Sequence, residues 1–226
     1  MTGATDGYTG GCVVGGPPAT RSLPGLHITK LAVGSMDNNV YLLRCIATGR
    51  TVIVDAPAPY RAVLEALGDG TPAAIVLTHG HHDHVGGLRA LRDATGAPVL
   101  CHAADAALLP VPPDGTLAAR DTIACGDASL SAIHLRGHTP GGLALHYDAG
   151  GELANAPHVF AGDSLFPGGP GATGGDPDRF AQLMSDLQRE VFDPLPDDTW
   201  IYPGHGRDTT LGAERPHLDE WRARGW

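Results

Sequence analysis

One short stretch constrains this chain more than any other. From Thr78 to Gly87 it reads T-H-G-H-H-D-H-V-G-G, so His79, His81, Asp83 and His84 put four metal-capable groups within six residues. The stretch lies where an apolar run, Ala73–Leu77, hands over to an amphipathic one, Val85–Thr95. Val85, Leu88 and Leu91 share one side of the second run, opposite Arg89 and Arg92, which predicts a strand followed by a helix that stops at Gly96. Function in α/β sheets gathers at the carboxyl ends of strands. In an extended segment His79 and His81 point to the same side, whereas the adjacent Asp83 and His84 diverge and can serve two cations. Imidazole and carboxylate without a neighbouring cysteine suit zinc, iron or manganese. The bland alternative is a solvated turn, or a helix cap built on Asp83, but neither needs four histidines. By alternation His82 points away, towards the rim.

The surroundings predict an α/β domain. Short β-branched runs at His27–Val33, Val40–Arg44, Thr51–Val54, Val99–Cys101, Leu130–Leu135, Gly142–Tyr147, Val159–Ala161 and Thr199–Tyr202 read as strands. Helical spacing marks Tyr60–Leu67, closed by Gly68, then Ala103–Leu109, stopped by Pro110, then Asp178–Val191, begun by Asp176 or Pro177, and Arg215–Arg222. Asn38 and Asn39 read as turn-formers. Residues 1–24, with six glycines and little apolar content, read as a flexible Gly/Pro-rich arm, and residues 25–226 as one domain. The formal net charge of −10 argues against a nucleic-acid partner. No run approaches a membrane span, and no apolar leader is visible. Cys12, Cys45, Cys101 and Cys125 are scattered without a C-x-x-C pair, which fits ordinary thiols and a cytoplasmic location.

The histidine segment resembles the T-H-x-H-x-D-H-x-G-G signature of the metallo-β-lactamase superfamily, in particular its glyoxalase II-like (hydroxyacylglutathione hydrolase-like) branch. Three further segments match in the same order: Gly137-His138-Thr139-Pro140-Gly141-Gly142, Gly162-Asp163-Ser164-Leu165-Phe166 and Pro203-Gly204-His205-Gly206. The resemblance runs from about Leu26 to the C-terminus. It implies a four-layer αβ/βα sandwich, two mixed sheets flanked by helices. It also implies two divalent cations, zinc first, with iron or manganese accepted by the same groups. One would take His79, His81 and His138, the other Asp83, His84 and His205, with Asp163 bridging. Read alone, His138, Asp163 and His205 are each as compatible with a capped or hydrogen-bonded turn. The remaining histidines read as structural, with His102 and His134 the nearest candidates to hold a ligand imidazole in place.

Such a pair of cations brings a bridging water towards deprotonation at neutral pH and polarises a carbonyl. Asp83 would orient the water and accept its proton. No G-x-S-x-G elbow is present, which argues against a serine hydrolase. The Gly86–Gly87 and Gly141–Gly142 pairs read as sites of close backbone approach. The resemblance thus implies a dinuclear hydrolase of a small-molecule thioester. Glyoxalase II carries a longer C-terminal helical part with basic residues for glutathione, whereas about 21 residues follow His205 here. Another thiol carrier, such as mycothiol, or a simpler acyl thioester is therefore expected. The alternatives are a lactonase, a β-lactamase, a mononuclear iron persulfide dioxygenase and a non-catalytic scaffold. The dioxygenase's G-C-G-R-T-D-F-like stretch is missing from Pro167–Asp176, and a decayed scaffold would have lost ligands. The loops Ser35–Asn39, Pro167–Asp176 and Arg207–Glu214 are expected to wall the pocket.

Overall fold

The computed structural model describes residues 7–149 and 156–225. Seven strands form the first sheet in sequence order: β1 (Ala19–Leu23), β2 (Leu26–Val33), β3 (Asn38–Cys45), β4 (Arg50–Val54), β5 (Thr71–Val76), β6 (Val99–His102) and β7 (Gly115–Leu117). The β1 to β4 pairs are antiparallel, and the β4 to β7 pairs are parallel. The second sheet holds β8 (Thr122–Cys125), β9 (Ala128–His134), β10 (Leu143–Tyr147), β11 (His158–Gly162), β14 (Trp200–Pro203) and β15 (Thr209–Thr210). It is antiparallel except where β11 runs parallel to β14. A small hairpin, β12 (Leu165–Phe166) and β13 (Gly169–Pro170), stands apart.

Period-two alternation builds the layers. Val52, Val54 and Val76 face inwards between the sheets, with Leu130, Leu143, Phe160 and Tyr202 from the second sheet. Ile53, Ile75 and Leu77, one residue out of phase, face outwards onto Val63 of α1 (Tyr60–Leu67) and Leu88 and Leu91 of α3 (Leu88–Thr95). On the far side Val159, Ala161 and Ile201 meet Phe180, Leu183 and Leu187 of α4 (Pro177–Leu187) and Trp221 of α6 (Leu218–Arg224). The order helix, sheet, sheet, helix is the expected four-layer sandwich.

Several local expectations change. Residues 19–23 are not part of a loose arm: β1 pairs with β2 over five residues, and Tyr8 and Gly10 bond to Asp208 and Lys30. Residues 1–6 lie outside the described part. The helix expected over Val85–Thr95 begins at His82 and is split into α2 (His82–Val85) and α3. Gly86 and Gly87 separate the two because the chain crosses the 56–57 segment there. A Cβ on Gly87 would stand 2.4 Å from the Pro57 carbonyl oxygen. Asp176 caps α4 as expected, accepting from the Asp178 and Arg179 amides, but its last turn widens into a π-helix at Gln188–Phe192. The last helix is likewise divided, into α5 (Leu211–Glu214), a 3₁₀ turn at Arg215–His217, and α6.

Candidate metal centre

The seven groups singled out by the sequence meet at one end of the two sheets. His79 and His81 leave β5, and Asp83 and His84 sit in α2, so four come from the first sheet. His138 follows β9, Asp163 follows β11 and His205 follows β14, so three come from the second. His79, His81 and His138 form one cluster of ligand-capable atoms, and Asp83, His84 and His205 form another, each within 4.8 Å. Asp163 faces both. Its Oδ2 lies 3.4 Å from His138 Nε2, 3.9 Å from His79 Nε2 and 3.5 Å from His205 Nε2, and its Oδ1 lies 3.4 Å from His84 Nε2. His82 is 91 % exposed and turned outwards, at the rim.

Hydrogen bonds behind the rings fix which nitrogen carries the proton. The Asp55 carboxylate accepts from His84 Nδ1 at 2.8 Å. The carbonyls of Ala172 and Met36 accept from His138 Nδ1 at 2.7 Å and His205 Nδ1 at 2.8 Å. Thr78 spends its hydroxyl proton on Asp55, so its oxygen accepts from His79 Nδ1 at 3.1 Å. Four imidazoles therefore aim Nε2 inwards. The Nε2 atoms of His84 and His205 stand 3.1 Å apart. His79 Nε2, His138 Nε2 and Asp163 Oδ1 are buried without a hydrogen-bond partner. Buried acceptors left this way are costly. Converging lone pairs and carboxylates fit divalent cations, and the two clusters are two candidate cation sites.

The electrostatics are those of a site built for positive charge. Burial alone would push the Asp163 carboxyl up, but the His205 and His84 imidazoles hold it well below the usual carboxylate range. Burial pulls His84 down, yet Asp55 and Asp163 outweigh it and raise it to about 10. Burial and the neighbouring His84 depress His79. The backbone is also shaped to the site. A Cβ on Gly204 would fall 2.0 Å from Asp163 Oδ1, so only glycine lets the chain reach His205 past that carboxylate. Asn38 Nδ2 donates to Asp83 Oδ2 at 2.8 Å, and a cavity of about 230 Å³ lined by Ser35, Met36, Asn38 and Asp83 opens beside it.

Some supporting residues differ from the sequence reading. Asn38 and Asn39 are not turn residues but the buried start of β3. His102 and His134 touch no ligand ring: they stack on each other at 3.8 Å, and His134 Nε2 bonds the Pro140 carbonyl. The supports that sequence reasoning missed are acids. Asp55, held at φ +65°, accepts from the Thr78 amide and hydroxyl as well as from His84. The buried Asp105 carboxylate accepts from the Gly80 amide at 3.0 Å and the Gly141 amide at 2.7 Å. The one available signal for Asp55 was an aspartate closing the apolar run Val52–Val54. Of the expected wall loops, 35–39 and 167–176 supply Met36 and Ala172. In the third, Arg207 and Asp208 bond back to Thr9 and Tyr8 and Glu214 to Gly168.

With this geometry the comparisons are direct. The profile of the metallo-beta-lactamase superfamily matches residues 33–205, and the chain belongs to that superfamily. It is similar to the hydroxyacylglutathione hydrolase of Jannaschia sp. (strain CCS1), 41% identical over 172 residues that make up 75% of this chain and 62% of that protein. The chain thus spans less than two thirds of that relative's length. Among solved structures, BLEG-1, a B3 metallo-beta-lactamase, aligns with a TM-score of 0.73 at 28% identity, covering 84% of this chain and 97% of that one. TTHA1623 in a di-iron-bound form aligns at 0.67 and 31% identity, covering 82% and 96%. Among the described residues no helix is long and apolar enough to cross a membrane.

Proposed function

We propose that this chain is a dinuclear metal-dependent hydrolase that cleaves a small-molecule thioester. His79, His81 and His138 would hold one divalent cation and Asp83, His84 and His205 the other, with Asp163 shared between them. The observation that carries this reading is the convergence of four imidazole Nε2 atoms on the Asp163 carboxylate. Divalent cations bound there acidify water and polarise an acyl carbonyl. The protein's own groups do the rest. Asn38 Nδ2 donates to Asp83 Oδ2, the oxygen that faces His84 and His205, and the carboxylate so fixed would orient the attacking water and take its proton. Asp55, Met36, Ala172 and Thr78 keep the four imidazoles in one tautomer, so the site needs no reorganisation as charge develops.

The similarity to a hydroxyacylglutathione hydrolase supports thioester chemistry. Lys30, the chain's one lysine, is buried in an ion pair and offers no cation to a multiply charged thiol. The carrier in this reading is one other than glutathione, an acyl-mycothiol or a simpler thioester. Zinc is the first choice of metal, and the di-iron relative keeps iron in view. The test is elemental analysis of purified protein together with turnover of acyl-mycothiol, S-lactoylglutathione, a lactone and nitrocefin. Two equivalents of metal and fastest turnover on a thioester are expected. A single iron with oxygen uptake on a persulfide, or preference for the lactam or lactone, would overturn the reading.

A further inference from the structure

Lys30 lies on β2 with 0 % of its surface exposed. A buried ammonium is tolerated only when it is paired and its protons are bonded. Lys30 has three protons and three acceptors: Asp208 Oδ1 at 2.6 Å, the Gly206 carbonyl at 2.7 Å and the Gly10 carbonyl at 3.0 Å. One acceptor follows His205 directly, and another belongs to the segment before β1. Asp208 completes the junction. Its Oδ2 accepts from the Tyr8 hydroxyl at 2.7 Å and Trp200 Nε1 at 3.0 Å, and its amide donates to Gly10 at 2.9 Å. Arg207 donates to the Thr9 carbonyl at 3.0 Å. Residues 8–10 thus lie across the loop that carries His205.

The other carbonyls of that loop are held from the same side. The Pro203 carbonyl accepts from Asn39 Nδ2 at 2.8 Å and the Tyr41 hydroxyl at 2.6 Å, and the Gly204 carbonyl accepts from the Asn39 amide at 2.7 Å. His205 itself is 23 % exposed, so bonds to its loop, not burial, hold it in place. None of these groups touches His79, His81 or His138.

We propose that Lys30, latched through Asp208 to Tyr8 and Gly10, is a positioning residue for His205, and that the N-terminal segment thereby sets the affinity of the second cation site. The role rests on the two-cation reading above. It is tested in full-length Lys30→Met and Tyr8→Ala by two measurements, amide hydrogen exchange on metal-free protein and zinc titration against a chromophoric chelator. Peptides covering 204–208 should exchange at least about tenfold faster in Lys30→Met, and those covering 79–84 at the wild-type rate. The second zinc equivalent should weaken about 10–100-fold, the range of losses for outer-shell partners, while the first holds. Tyr8→Ala, which keeps the lysine, should shift both readouts in the same direction by less, and it decides the matter if Lys30→Met does not fold. An unmoved 204–208 exchange rate, or equal weakening of both equivalents, would overturn the proposal. If the wild type binds no zinc, the hydrolase reading falls, and the exchange contrast still decides whether the latch orders the loop.

Discussion

The two halves of the site are held from behind by opposite chemistry. Around His79, His81 and His138 a buried acid collects backbone amides: Asp105 takes the N–H groups of Gly80 and Gly141, one on each loop. Around His205 the donors are side chains and the acceptors are backbone carbonyls, with Lys30, Asn39 and Tyr41 binding those of 203 and 206. Loop peptides offer both polarities, so either an anion or a cation can fix a ligand loop, provided it is buried where water cannot compete. The acid reaches across 25 and 36 residues, the lysine across 176. The first half is therefore braced within one stretch of chain, and the second depends on the chain's two ends meeting.

Substitutions can break this contrast in order of severity. Asp163 serves both halves, so Asp163→Ala should lose the second metal equivalent and roughly 10²–10³-fold or more in kcat, read by elemental analysis and turnover. Survival of turnover would remove the bridging role. Asp105→Ala strands two buried amides at about 1–3 kcal/mol each, so urea denaturation should show a loss of about 2–6 kcal/mol, with the first cation weakened and the second unchanged. Asp55→Ala frees His84 to rotate and should weaken the second cation about 10–100-fold in chelator competition.

The smallest effect belongs to neither half. Burial, with Arg21 and His146 nearby, pushes His158 down to about 3. The unfolded chain binds that proton near 6.5, so the folded state loses stability as pH falls from about 6.5 towards 3. At pH 5 the loss is about 1–2 kcal/mol relative to pH 7. In His158→Phe, denaturation midpoints should depend less on pH across that window, with metal content unaltered.

What was legible in the sequence follows from how many residues carry each signal. Tyr60–Leu67 is a helix with the bounds its spacing predicts, and the β2 to β5 and β9 to β11 runs appear within a few residues of their expected ends. His79, His81, Asp83 and His84 were legible because metal-capable residues crowd into six positions, whereas His138, Asp163 and His205 were legible through the resemblance of their flanking segments to the superfamily's motifs. Asp55, Asp105 and Lys30 were not, because each is a single residue whose role exists only once distant loops meet. Asn38 shows the same limit: next to Asp37 it has the composition of a turn, and only the arrival of Asp83 makes it a donor. β1 escaped notice because its pairing with β2 supplies the order that its composition does not.

Four of the clustered groups arrive from one sheet and three from the other. A cation held there as proposed would act as a rivet through the sandwich, since its binding free energy would count towards keeping the two layers closed. Metal supply would then be a lever on how long the folded protein persists, and a chelator a way of prising the layers apart along their shared edge.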